Sequence, residues 1–148
     1  TARVAFLAAQ AAADSDILGK MRRHLDRGAT LVLTPAFVRA VGQPACKIAG
    51  VEVGPASVPA EATAVQTKSG EFALAAPIHL DASLATNGGV TLISARVGGQ
   101  SVPLLTEFSA GRGRVQVLNV RTFSEQDFLD AREWLLAPKP RGLAEIPE

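Results

Sequence analysis

From Arg3 to Ala9 the chain reads RVAFLAA, an unbroken apolar run of the kind found in strands buried on both faces. Ile17, Leu18, Met21 and Leu25 then recur at helical spacing on one face, with Lys20, Arg23 and Arg27 on the other. Asp14 or Ser15 stands where such a helix needs an N-terminal cap, and Gly28 where it needs a stop. Thr30 to Thr34 (TLVLT) is a second short strand-like run. Strand, helix and strand in that order predict a βαβ unit with parallel strands.

The pattern continues with Ala36 to Ala40, enough for one more helical turn before Gly42 and Pro44 interrupt it. Residues 51–107 change character. Gly54-Pro55, Pro59, Ser69-Gly70, Asn87-Gly88-Gly89 and Gly98-Gly99 punctuate short runs without helical period. Strands are expected at Ala62–Thr67, Glu71–Ala75, Ile78–Leu84, Val90–Val97 and Ser101–Phe108, forming an antiparallel β-rich extension of an α/β layer. Gly98-Gly99 suits a tight hairpin turn. A last strand, Arg114–Val120, alternates Val115, Val117 and Asn119. Ser124 then opens a helix with Phe128, Ala131, Trp134 and Leu135 on its inner face, stopped by Pro138 and Pro140, and 138–148 reads as an extended tail.

Two stretches carry a family resemblance. Ala2 to Gly42, with its helix ILGKMRRHLDRG followed by ATLVLTP, resembles the later βαβ part of class I glutamine amidotransferase-like domains. Pro103 to Val120, PLLTEFSAGRGRVQVLNV, is similar to the segment in which a strand of those domains runs into a Gly-x-Gly-Arg turn and re-enters the sheet. The non-catalytic branch of that superfamily, the β-galactosidase trimerisation-type domains, carries both pieces in this order. The resemblance implies a three-layer, flavodoxin-like or glutamine amidotransferase-like α/β fold with a partly parallel sheet. It also implies a structural, interaction or oligomerisation module serving as an accessory domain of a carbohydrate-active enzyme. Its partners would be other domains of a parent protein or a second copy of itself. The catalytic members place their cysteine in a Gly-x-Cys-x-Gly elbow; the segment here is Gln43-Pro44-Ala45-Cys46-Lys47-Ile48, without flanking glycines, and no His-x-Glu pair occurs.

Composition narrows the remaining choices. At 148 residues the chain is sized for a single domain, and its start at Thr1 reads as a piece of something longer. Fifteen Lys and Arg balance fourteen Asp and Glu, for a net charge of +1, which gives no electrostatic footprint for nucleic acid or an acidic membrane. No run approaches the roughly 18 apolar residues of a membrane span. One cysteine and two histidines provide no thiolate zinc site and few metal ligands, so neither metal nor cofactor is expected.

Candidate chemistry is sparse. Cys46 is the one possible thiol nucleophile and would need His24 or His79 as a base, the basis of an alternative reading as an amidotransferase-like hydrolase. His79 and Asp81 are two apart on an expected strand and so share a face, as a base and its orienting carboxylate would. Gln10 and Thr34 lie at expected strand C-termini, where open α/β sheets bind small ligands. Lys20, Arg23 and Arg27 form a basic stripe diluted by Asp26, and His24 belongs to the same exposed helix surface. Gly111-Arg112-Gly113-Arg114 precedes a strand, so it reads as a turn whose arginines can pair with Glu107 or with the carboxylates of the 124–136 helix. Asp14, Asp16, Glu107, Glu125 and Asp127 show no spacing that places two of them in one cleft. Pro77, Ile78 and Leu84 are more apolar than a solvated edge requires, and Ile78 and Leu84 are the expected interaction surface.

Overall fold

The computed structural model describes residues 4–121. In chain order these form β1 (Val4–Leu7), a 3-10 turn (Ala9–Ala13), α1 (Ile17–Asp26), β2 (Thr30–Leu33), α2 (Pro35–Val41) and α3 (Gln43–Ala49). Then follow β3 (Val51–Glu52), β4 (Pro59–Thr67), β5 (Gly70–Asp81), β6 (Ala85–Thr86), β7 (Val90–Val97), β8 (Gln100–Ala110) and β9 (Gly113–Leu118). A seven-stranded sheet runs β1-β2-β9-β8-β7-β4-β5, with a separate two-stranded β3-β6 pair. The fold is thus mixed α/β with a strand-rich, partly parallel sheet. The helix expected at 124–136, with Trp134 on it, and the tail 138–148 lie outside the described residues.

The βαβ expectation holds: β1 pairs parallel with β2, and β2 parallel with β9. Among the described residues, however, the first strand is an edge strand. Val4 is exposed and Ala5, Phe6 and Leu7 are only half-buried, and the one described sheet neighbour of β1 is β2. An apolar run can mark a strand, but it cannot say whether a further strand lies beyond. The cap also differs. Asp14 turns the chain before α1 by accepting from the Asp16 amide (2.8 Å), and the helix starts after Asp16 with no side-chain cap bond.

Gly42 does not end the helical region. Its φ of +95° serves as the C-cap of α2 and the N-cap of α3 together, and Pro44 sits in the first turn of α3, where a missing N–H costs nothing. The second helix was invisible in the sequence because Gly and Pro usually break helices. Leu31 and Leu33 of β2 and Val115 and Val117 of β9 pack with Ile17, Met21 and Leu25 of α1, Phe37 and Val38 of α2, and Ala45 and Cys46 of α3. All three described helices therefore join one cluster over one face of the parallel strands, and the described residues show no third layer.

The 51–107 extension is antiparallel as expected, with β4 pairing both β5 and β7, and β7 pairing β8. Gly98-Gly99 makes the two-residue turn between Val97 and Gln100, with Gly98 at a φ of +60°. The strands expected at Glu71–Ala75 and Ile78–Leu84 are one strand ending at Asp81. Ala64 faces Ala73 and Ala62 faces Ile78, so Leu74 to Pro77 bulge out opposite Thr63. Leu84, expected at an interaction surface, is instead 2% exposed in the helix-side core, and Ile78 is half-buried against a second cluster of Ala62, Val65, Leu80, Ala95, Val102 and Leu104. The reason is that the chain turns inward after Asp81 rather than continuing along the edge.

The extension curls so that the far end of β5 meets the chain leaving β9. The Arg121 amide donates to the His79 carbonyl (3.0 Å) and the Asp81 amide to Asn119 Oδ1 (2.9 Å). These bonds satisfy backbone groups that an edge strand would otherwise leave open.

Candidate functional site

Ligands of open α/β sheets sit beyond the C-terminal ends of parallel strands. At that end Thr34 is buried, and its Oγ1 accepts from the Phe37 amide (3.2 Å) as the N-cap of α2. Its own amide donates to the Leu7 carbonyl (3.3 Å). The hydroxyl is thus used for folding. Gln10 is exposed on the 3-10 turn that packs against α2.

A buried polar assembly joins α2, the 53–58 loop, the end of β5 and the exit of β9. Asp81, 1% exposed, accepts from Arg39 Nη2 (2.6 Å), the Val58 amide (3.0 Å) and the Ser83 amide (2.9 Å). Arg39 also donates from Nε to the Gly54 carbonyl (2.8 Å) and from Nη2 to Ser83 Oγ (3.2 Å). Asn119, fully buried, donates from Nδ2 to the Asp81 and Pro103 carbonyls, each at 2.8 Å. Burial pushes the Asp81 carboxyl up, but the bonds from Arg39, Val58 and Ser83 outweigh it and hold the group below its usual range. Its members bond to one another and to the backbone at Gly54, Val58 and Pro103, an arrangement that fits a clamp fixing loop 53–58.

Sequence reasoning singled out Asp81 but paired it with the wrong residue. His79 contacts Glu61 (3.4 Å) on the exposed side of β5, while Asp81 turns inward to Arg39. The two are not brought together. Arg39 and Ser83 carried no signal in the sequence. Asn119 did, as a polar residue at the phase of Val115 and Val117, all three of them buried.

Cys46 is 7% exposed on α3. Burial pushes its thiol up, with only a partial offset from the Val53 amide, and the Glu52 charge raises it further. No histidine is among the groups acting on it. The basic stripe is partly neutralised, since Lys20 pairs with Asp14 and Arg23 with Asp16. Asp14 is lowered by its hydrogen bond from Lys20 and by the Asp16 amide. Arg114 pairs with Glu107 at 3.0 Å, one of the two partners the sequence offered, and Gly111 takes a φ of +59° in the turn before β9. Glu125 and Asp127 lie outside the described residues. Among the described residues there is no group of three or more His, Cys, Asp or Glu able to hold a metal ion, and no helix is long and apolar enough to cross a membrane.

No family model matches the chain, and no curated protein matches it. Solved structures do share its fold. The GH42 β-galactosidase Gan42B of G. stearothermophilus matches with a TM-score of 0.62 and 11% identity, over 88% of this chain and 21% of that one. A β-galactosidase of Bacillus circulans sp. alkalophilus matches with a TM-score of 0.57 and 14% identity, over 86% and 21%. The cytoplasmic protein STM1381 of Salmonella typhimurium LT2 matches with a TM-score of 0.53 and 13% identity, over 80% and 56%. The chain spans about a fifth of the β-galactosidases it matches. At these identities the likeness is one of fold, shared with about a fifth of these β-galactosidase chains and with STM1381.

Proposed function

We propose that this chain is a non-catalytic accessory domain of a larger carbohydrate-active enzyme, of the glutamine amidotransferase-like, β-galactosidase trimerisation type. The observation that carries the reading is the coverage: 88% of this chain matches 21% of a β-galactosidase. The burial of Asp81 and Asn119 in their network with Arg39 and the buried, raised Cys46 thiol support it, because none of the three is an accessible nucleophile or base. The domain's partners are the other domains of a parent enzyme or its own copy.

The test is an assay of the chain against chromogenic β-galactosides, β-mannosides and glutamine, alongside light scattering over a concentration range. No turnover is expected from the wild type or from Cys46→Ser. Turnover that Cys46→Ser abolishes would overturn the reading in favour of a cysteine hydrolase.

A further inference from the structure

We propose that Asn87 is a site of spontaneous modification, converting to aspartate and isoaspartate through a cyclic imide formed on Gly88. The chain has only two asparagines, Asn87 and Asn119, and the fold treats them oppositely. Asn119 is fully buried, its amide held by Asp81 and Pro103, and it is followed by β-branched Val120, which crowds the next backbone nitrogen. Asn87 is exposed in the turn between β6 and β7. It is followed by Gly88 at a φ of +97°, so no side chain shields the nitrogen that must attack. The flanking amides of Asn87 and Gly89 both donate to the Gly50 carbonyl, at 2.8 and 3.0 Å. Among the described residues no hydrogen bond occupies the Gly88 nitrogen between them.

The chemistry needs only base and water. The Gly88 nitrogen loses its proton to solvent base and attacks Asn87 Cγ. The new N–Cγ bond forms as the Cγ–Nδ2 bond breaks, and Nδ2 leaves as ammonia after taking a proton from solvent. Water then opens the ring at either carbonyl. Cleavage of the N–Cγ bond yields aspartate, and cleavage of the original peptide bond yields isoaspartate. No oxidant or reductant takes part.

The surroundings give the conversion a structural consequence. Asn87 Nδ2 donates to Glu52 Oε2 at 2.8 Å, tying β6 to β3 at the pairs Val51–Thr86 and Glu52–Ala85. Either product replaces that donor with a carboxylate facing a carboxylate, which repels where the amide attracted. Isoaspartate also routes the main chain through the residue 87 Cβ, adding one carbon before Gly88, between the two amides that share the Gly50 carbonyl.

The experiment incubates the intact chain in mildly alkaline buffer at physiological temperature. It follows an acidic shift by isoelectric focusing and assigns the site by peptide mapping, with fragmentation that separates the two isomers. A urea-unfolded sample is the reference. Conversion is expected at residue 87 with both isomers present, faster at higher pH, with Asn119 remaining an amide in the folded sample. Asn87→Asp should lower the urea midpoint, and adding Glu52→Gln should restore most of it. Asn87 staying an amide in folded chain while the unfolded sample converts would overturn the site. An unchanged midpoint for Asn87→Asp would overturn the consequence.

Discussion

Replacing Asp81 by asparagine tests the central polar clamp while leaving its shape intact. The amide oxygen can still accept from the Val58 and Ser83 amides, but its NH2 now faces Arg39 Nη2, which also donates. The guanidinium loses its counter-charge with only 22% of its side chain exposed, against 2% for Asp81. Breaking a buried ion pair by removing one partner costs about 3–5 kcal/mol. Arg39 keeps Gly54, Ser83 and some solvent, which puts the expectation at the low end, about 3 kcal/mol. At roughly 2–4 °C per kcal/mol for a chain of this size, Tm falls by about 6–12 °C. Urea unfolding followed by circular dichroism measures the loss, with Arg39→Met and the double variant completing a cycle. A loss below about 1 kcal/mol, or strict additivity in the cycle, would refute the clamp. The pH dependence follows from the depressed carboxyl. Its stabilisation is complete above the ordinary aspartate value of about 3.9 and disappears as pH falls through the lower folded value. In acid the wild type should therefore lose stability and approach Asp81→Asn.

Thr106 Oγ1 is buried without a hydrogen-bond partner among the described residues, so Thr106→Val should stabilise by about 1 kcal/mol in urea unfolding. A loss of stability would show that the hydroxyl is paired. A Cβ on Gly113 would collide with the Ala29 carbonyl oxygen and meet Leu25 Cδ2 at 3.0 Å, so Gly113→Ala should cost about 3 kcal/mol, at the upper end for overpacking. A near-neutral result would mean that β9 shifts freely against the α1–β2 junction. The Cys46 thiol should label with a disulfide reagent only as fast as the chain opens, speeding up in urea; immediate labelling of folded chain at neutral pH would contradict its burial.

Local patterns determined much of this architecture. The 3.6-residue spacing of Ile17, Met21 and Leu25, bounded by polar residues and Gly28, can be satisfied only by a helix with one buried face. The runs TLVL and GRVQVL and the Gly98-Gly99 turn likewise fix their strands and hairpin through side-chain period and positive φ. The pairing of Arg114 with Glu107 was legible because both flank one turn.

Tertiary structure decided whatever depends on which segment lies alongside. The apolar residues of β1 read as buried on both faces, yet among the described residues the strand lies at the sheet edge, and its own sequence does not say which segments flank it. Gly42-Gln43-Pro44 read as a break and is a junction between two helices, since one positive-φ glycine can close one helix and open the next. Leu84 read as surface and is core, and Asp81 found Arg39, 42 positions away, in place of His79 beside it. Period and turn chemistry act between near neighbours and can be read along the chain. Burial and charge pairing are settled only when the curl of the sheet brings distant residues to one place.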